Sequence, residues 1–164
     1  MKKRSPGFTL IELMIVIAII AALAALSMPV INRAVESGRE AQAASEVTAL
    51  ASALRAYYNT YSVWPSAFTG GGGSGVQVAG NVFRILAGED VNDQNRRRIT
   101  FMAFPEAALA GNRFNDPWGQ TYRFQVDENY DNTVTVDIEG TFTLHQRVAV
   151  WSQGPEDRDP ITSW

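Results

Sequence analysis

The chain has 164 residues, 46% of them hydrophobic and 19% charged, which is enough for one domain beyond an N-terminal segment. Its 14 basic and 17 acidic residues give a net charge of −3; three of the basic residues stand at positions 2–4, so the chain from Phe8 onward carries −6 and has no electrostatic footprint for nucleic acid. Cysteine is absent and His145 is the single histidine, which excludes disulfides, thiolate and histidine-pair metal sites, and a nucleophile–base arrangement built on either residue type. No motif sets a pair of carboxylates for hydrolysis, and the glycine run at 70–73 lacks the lysine of a phosphate loop. The reading is of a protein that is not an enzyme.

The first element is an apolar run. From Phe8 to Val30 only Glu12 is charged, and a helix over these residues reaches about 34 Å at about 1.5 Å per residue, enough to cross a bilayer core. Lys2, Lys3 and Arg4 ahead of it predict a cytoplasmic N-terminus with the remainder translocated. Three readings compete for this segment. A secretory signal peptide explains the basic start and the small residues at Ala22-Leu23-Ala24, but not the length of the run or an acidic residue at its head. A plain signal anchor explains the length and not Glu12, whose charge is costly in a membrane without a partner. The third reading rests on a likeness: KKRSPGFTLIELMIVIAIIAALAA (2–25) resembles the N-terminus of type IV pilins and type II secretion pseudopilins. That resemblance implies a leader of residues 1–7, cut after Gly7 by a prepilin peptidase that also methylates the new amine on Phe8. Phe8 and Glu12 are one helical turn apart, so within one subunit they can partly neutralise each other. In the family the residue matching Glu12 is thought to meet the amine of an adjoining subunit.

Pro29 follows the apolar run and predicts a kink or local opening of the helix. Beyond it the pattern becomes one-sided, with Val47, Leu50, Ala51, Leu54, Tyr57, Tyr58 and Tyr61 recurring at three- and four-residue steps. One long helix over 8–61 is expected. Residues 8–30 are its transmembrane and filament-core part, and 31–62 are an amphipathic continuation laid on a head of residues 63–164. Trp64-Pro65 should stop it, because the residue before proline disfavours the α region. TGGGGSG (69–75) is expected to be a flexible loop without a regular element, 81–90 a short helix ending at Gly88, and 91–98 a polar loop. ITFMAF (99–104) is apolar and β-prone. QTYRFQV (120–126), TVTVDI (133–138) and TLHQRVAVWS (143–152) alternate as strands, which puts His145 in a strand with a surface or packing role. The sum is an α+β fold, a long helix against a small antiparallel meander with one face on the helix.

Two later motifs narrow the family. Asp116-Pro117 starts a turn, Trp118 offers an apolar anchor, and Gly119 permits an unusual backbone angle. With Tyr122 they resemble the DPWGxxY turn of the major (G-type) pseudopilins, and WSQGPEDRDPITSW (151–164) resembles that group's ending. The resemblance implies an inner-membrane protein with a periplasmic head, drawn from lipid into a homopolymer with minor pseudopilins by an assembly platform, to drive protein export. It also makes calcium a candidate ligand of the C-terminal acidic loop at Asp157 and Asp159, with Glu156 and Ser152 as further oxygens. This loop is shorter than the family's usual one, and Pro160 stands where an acidic or small residue is expected. DENYDN (127–132) starts like a calcium loop but lacks glycine at its sixth position and glutamate at its twelfth, so a hairpin turn is the expectation. The alternative within the class is a type IV pilin of a surface fibre for adhesion, motility or DNA uptake. Many such pilins close a C-terminal loop with a disulfide, which this chain cannot form. An alternative outside it is a secreted binding domain whose mature form starts near Ala25.

Overall fold

The computed structural model describes residues 7–106, 111–155 and 158–164, without the side chains of residues 26–29. Its contacts divide the chain into two units, Met1–Gly38 and Arg39–Trp164. Helix α1 (Leu10–Tyr61) runs through both.

From Leu13 to Ala25, in the first unit, the helix is apolar on every side, and Leu10, Ile11, Leu13, Met14, Ile15, Ile17, Ile19, Ile20 and Leu23 are all more than half exposed. It is the one helix among the described residues that is long and apolar enough to cross a membrane. Leaving such a side chain in water forgoes about 1.5–3 kcal/mol of burial, so this surface needs lipid or other protein around it. The helical run continues across position 29, whose side chain lies outside those described.

In the second unit α1 becomes one-sided. Ala43, Val47, Leu50, Ala51, Leu54 and Tyr57 form a stripe at three- and four-residue steps, each at most 2% exposed. The helix stops where the sequence predicts. Ser62 takes a left-handed φ of 57°, donates its N–H to Tyr58 O at 2.7 Å, and is followed by Trp64-Pro65.

Among the described residues six strands follow: β1 (Val76–Gln77), β2 (Arg123–Val126), β3 (Val134–Asp137), β4 (Thr141–Leu144), β5 (Val148–Ser152) and β6 (Ile161–Thr162). They are antiparallel, as expected, but they do not form one meander. β1-β2-β5-β6 make one sheet and β3-β4 a separate two-stranded one. The register pairs Phe124 with Val150 and Val126 with Val148. These four side chains belong to the same core as the α1 stripe. The alternate residues Ala149 and Trp151 pack on Val134 and Val136 of β3 instead. The sheet is therefore covered twice, by α1 on one face and by β3-β4 on the other, and all five residues of β5 are buried.

Four local readings are corrected. The glycine run holds a 3-10 turn at Gly72–Ser74. It is also packed: a Cβ on Gly75, whose φ is 71°, would sit 2.3 Å from the Trp151 ring. Residues 99–104 contain no strand. The N–H groups of Phe101 and Met102 both donate to Leu86 O and close the end of helix α2 (Asn81–Leu86), while Phe101, Met102 and Phe104 pack on the core. His145 is exposed in the β4–β5 turn rather than in a strand. Residues 127–133 connect the two sheets rather than closing a hairpin, and the buried Asp127 takes the N–H groups of Asp131 and Asn132 at 3.1 and 2.8 Å. The polar loop 91–98 has an organiser the composition does not advertise. Fully buried Asn95 donates to Ile85 O and Ile99 O and accepts from Ile99 N and the Tyr61 hydroxyl.

Candidate functional site

Gly7 and Phe8 precede the first helical residue, and Phe8 is 80% exposed. Thr9 and Glu12 then close a reciprocal box at the head of α1. The Glu12 N–H donates to Thr9 Oγ1 at 3.3 Å, and Glu12 Oε2 accepts from Thr9 N at 2.8 Å and from Thr9 Oγ1 at 2.6 Å. This is the T-x-x-E capping box, which satisfies two backbone donors that a helix N-terminus otherwise leaves open. The box bends the Glu12 side chain back toward the chain start and holds its negative charge at the positive end of the helix. A carboxylate so held stands one turn from Phe8. Thr9 belongs to the stretch that carries the likeness, but its capping role is not part of the expected site, although S/T three residues before E at the start of an apolar run is a readable sign of it.

The DPWG motif is a clasp. Asp116 is buried and central to it. Its Oδ1 accepts from Trp118 N at 3.0 Å and Gln120 N at 2.8 Å, and its Oδ2 accepts from Ser152 Oγ at 2.6 Å. The backbone turn is closed by Gly119 N to Asp116 O at 2.9 Å and Asp116 N to Gln120 O at 2.7 Å, with Gly119 at φ 91°. Ser152 Oγ also accepts from Gly154 N at 2.9 Å, and Gln120 Nε2 donates to Gly154 O at 3.0 Å. The DPWG turn and the Ser-x-Gly turn, 36 residues apart, are thus one polar constellation. Ser152 is fully buried and its hydroxyl is committed to the clasp.

Trp118 is not the anchor that its size suggests. Pro117 and Trp118 are half-buried, and Trp118 walls an open cleft with Arg123, Trp151 and Arg158. The anchor is Tyr122, fully buried, whose hydroxyl donates to Glu46 of α1 at 2.5 Å. Burial first, and then that bond to a carboxylate, push the phenol far above its ordinary range. Arg158 reaches a second carboxylate of the helix, Glu40. The motif and the C-terminal segment are therefore both fastened to α1.

Of the calcium candidates, Asp159 is exposed beside Pro160 and Trp164, while Glu156 and Asp157 lie outside the described residues. Among the described residues no three acidic or histidine side chains converge on one point.

Residues 2–28 match the family model described as "Prokaryotic N-terminal methylation motif". A stretch of 66 residues is 41% identical to the fimbrial protein EcpC of Eikenella corrodens, covering 40% of this chain and 43% of that protein. A 66-residue stretch is 39% identical to the type IV major pilin protein PilE of Neisseria gonorrhoeae, covering 40% of each. The chain thus matches less than half the length of these curated relatives. No solved structure matches it.

Proposed function

We propose that this type IV pilin-like chain is a structural subunit of a filament, cut after Gly7, methylated on Phe8, and assembled through α1. The observation that carries this reading is the carboxylate of Glu12, fastened at the head of an apolar helix next to the cleavage motif. Before assembly the helix sits in lipid, where the surface exposed in the first unit meets acyl chains. In the filament the same surface meets other copies of itself. A buried ion pair is favourable there only relative to leaving either charge alone. Glu12 therefore rewards the one axial stagger that brings it to a neighbour's Phe8 amine, and penalises the others. Prepilin peptidase and an inner-membrane assembly platform are the partners this requires.

Within the class we infer a pseudopilin of a type II secretion system, with its head in the periplasm. The Asp116–Ser152–Gly154 clasp supports this, because it joins the two segments that resemble the major pseudopilins. A surface fibre is the second reading, favoured by the names of the two relatives, a fimbrial protein and a major pilin. Replacing the chromosomal copy with Glu12→Ala separates them. Export loss, with substrates held in the periplasm and surface fibres unchanged, supports the pseudopilin. Loss of surface fibres with export intact supports the pilin. A Glu12→Ala subunit that polymerises like wild type would sink the register argument in either setting.

A further inference from the structure

A cleft of about 260 Å³, between α1 and the β4–β5 turn, is walled by Arg55, Tyr58, Asn59, Trp64 and Arg147. Trp64 is only 6% exposed, and its indole N–H, a donor with no acceptor capacity, has no partner. A buried donor left unbonded is costly, and this one belongs to a residue in the wall of the cleft, sealed from solvent. The Arg147 guanidinium lies over the Tyr58 ring, 4.8 Å from its centroid. Stacking occupies the face of a guanidinium and leaves its in-plane N–H fork free for a planar acceptor. Elsewhere in the head Arg84, Arg96 and Arg158 are paired with Glu89, Asp93 and Glu40, whereas Arg97, Arg98, Arg113 and Arg123 stand singly outside the ion pairs of the described residues. Among the described residues neither Arg55 nor Arg147 has a carboxylate within ion-pair reach. Two cations without a carboxylate partner and an amide thus meet in one cleft, walled by Trp64, of a chain that is acidic beyond residue 7.

We propose that this cleft receives a carboxylate side chain from the head of a second copy of the chain. The planar acceptor that fits a stacked guanidinium is a carboxylate, and the excess of acidic residues on the same chain makes an adjoining copy a complementary partner. A helical polymer repeats one pair of unlike surfaces at every step, so a basic cleft on one head faces the same patch of the next head throughout. The proposal rests on the filament-subunit reading and adds a head-to-head contact to the pairing at Glu12.

The test uses the full chain labelled with ¹⁵N-tryptophan, once in detergent micelles and once as filaments, with the Trp64 indole resonance assigned by Trp64→Phe. The Trp64 N–H should move downfield on assembly and stay in place in Arg55→Glu/Arg147→Glu. Single Arg55→Gln and Arg147→Gln changes should each raise the critical concentration about two- to fivefold, the range of a partly exposed ion pair, and Arg55→Lys should restore it. Should Arg147→Gln lower the melting temperature, Arg55→Gln carries the test, because Arg55 is exposed and makes no ion pair or side-chain hydrogen bond among the described residues. Filaments whose Trp64 resonance matches the micelle form, or a double charge reversal that assembles like wild type, overturn the site and leave the subunit reading standing. A wild-type chain that never polymerises overturns both.

Discussion

Replacing Asp116 tests the clasp most severely. In Asp116→Ala three donors lose their acceptor: Trp118 N, Gln120 N and the Ser152 hydroxyl. Hydrogen bonds to a charged group contribute about 1.5–3 kcal/mol each, but they do not add here. Trp118 and Gln120 are only half-buried, so water can replace their share. Ser152 is fully buried and has no such recourse. We therefore expect Asp116→Ala to cost about 3 kcal/mol. Asp116→Asn should cost about half that, by a specific route. The amide oxygen can still take both backbone donors, and its nitrogen can donate to Ser152 Oγ, which has a second lone pair beside the one used by Gly154 N. Only the serine proton is then stranded. The assay is urea unfolding of the full chain in detergent, followed by tryptophan fluorescence, with Ser152→Ala and the double variant completing a thermodynamic cycle. A coupling of about 1–2 kcal/mol is expected between the two positions. An Asp116→Ala chain within about 0.5 kcal/mol of wild type, or an Asn variant as unstable as the Ala variant, would refute the reasoning.

Three further outcomes are expected. Tyr122→Phe removes the hydroxyl that Glu46 accepts and should cost about 1–2 kcal/mol in the same unfolding assay, whereas Trp118→Ala, at a half-buried wall, should cost less than its ring size suggests. Tyr57 donates to Gln94 O at 2.5 Å, and burial first, then the nearby Tyr61 and Asp90, push its phenol up to about 12. The folded chain then holds that proton longer than the unfolded one, so this stability is complete below pH 10 and lost as pH rises toward 12. Tyr57→Phe should flatten that stretch of the stability–pH curve, measured by denaturation and by tyrosinate absorbance. For calcium, isothermal titration into the full chain in detergent decides the C-terminal candidate: heat that Asp157→Asn and Asp159→Asn abolish would place the ion there. No heat, and no calcium-dependent rise in melting temperature, would remove the metal from the account.

The long helix was legible almost to the residue, because its evidence is local: a three-to-four-residue apolar period, and a stop at Trp64-Pro65. The sheet was legible only as strands. Which strand pairs with which is a long-range property, and the apolar run Val148–Trp151, which departs from the alternation expected of 143–152, is a local hint that both faces of β5 are covered. Residues 99–104 misled for a related reason, since their apolar content serves packing while their backbone caps α2. At the site, Gly7, Phe8 and Glu12 are visible by spacing and likeness, and so is the turn at Asp116. Neither the Ser152 and Glu46 partners nor the demotion of Trp118 could be read from spacing. They depend on chain segments 36 and 76 residues away from the motif.

The central claim is that the chain loses its first seven residues and keeps its apolar helix for assembly. Mass spectrometry of the amino terminus of protein purified from membranes tests it most directly. The account predicts a mature chain that begins at a methylated Phe8. A mature chain starting near Ala25, or an intact leader on the assembled protein, would contradict it.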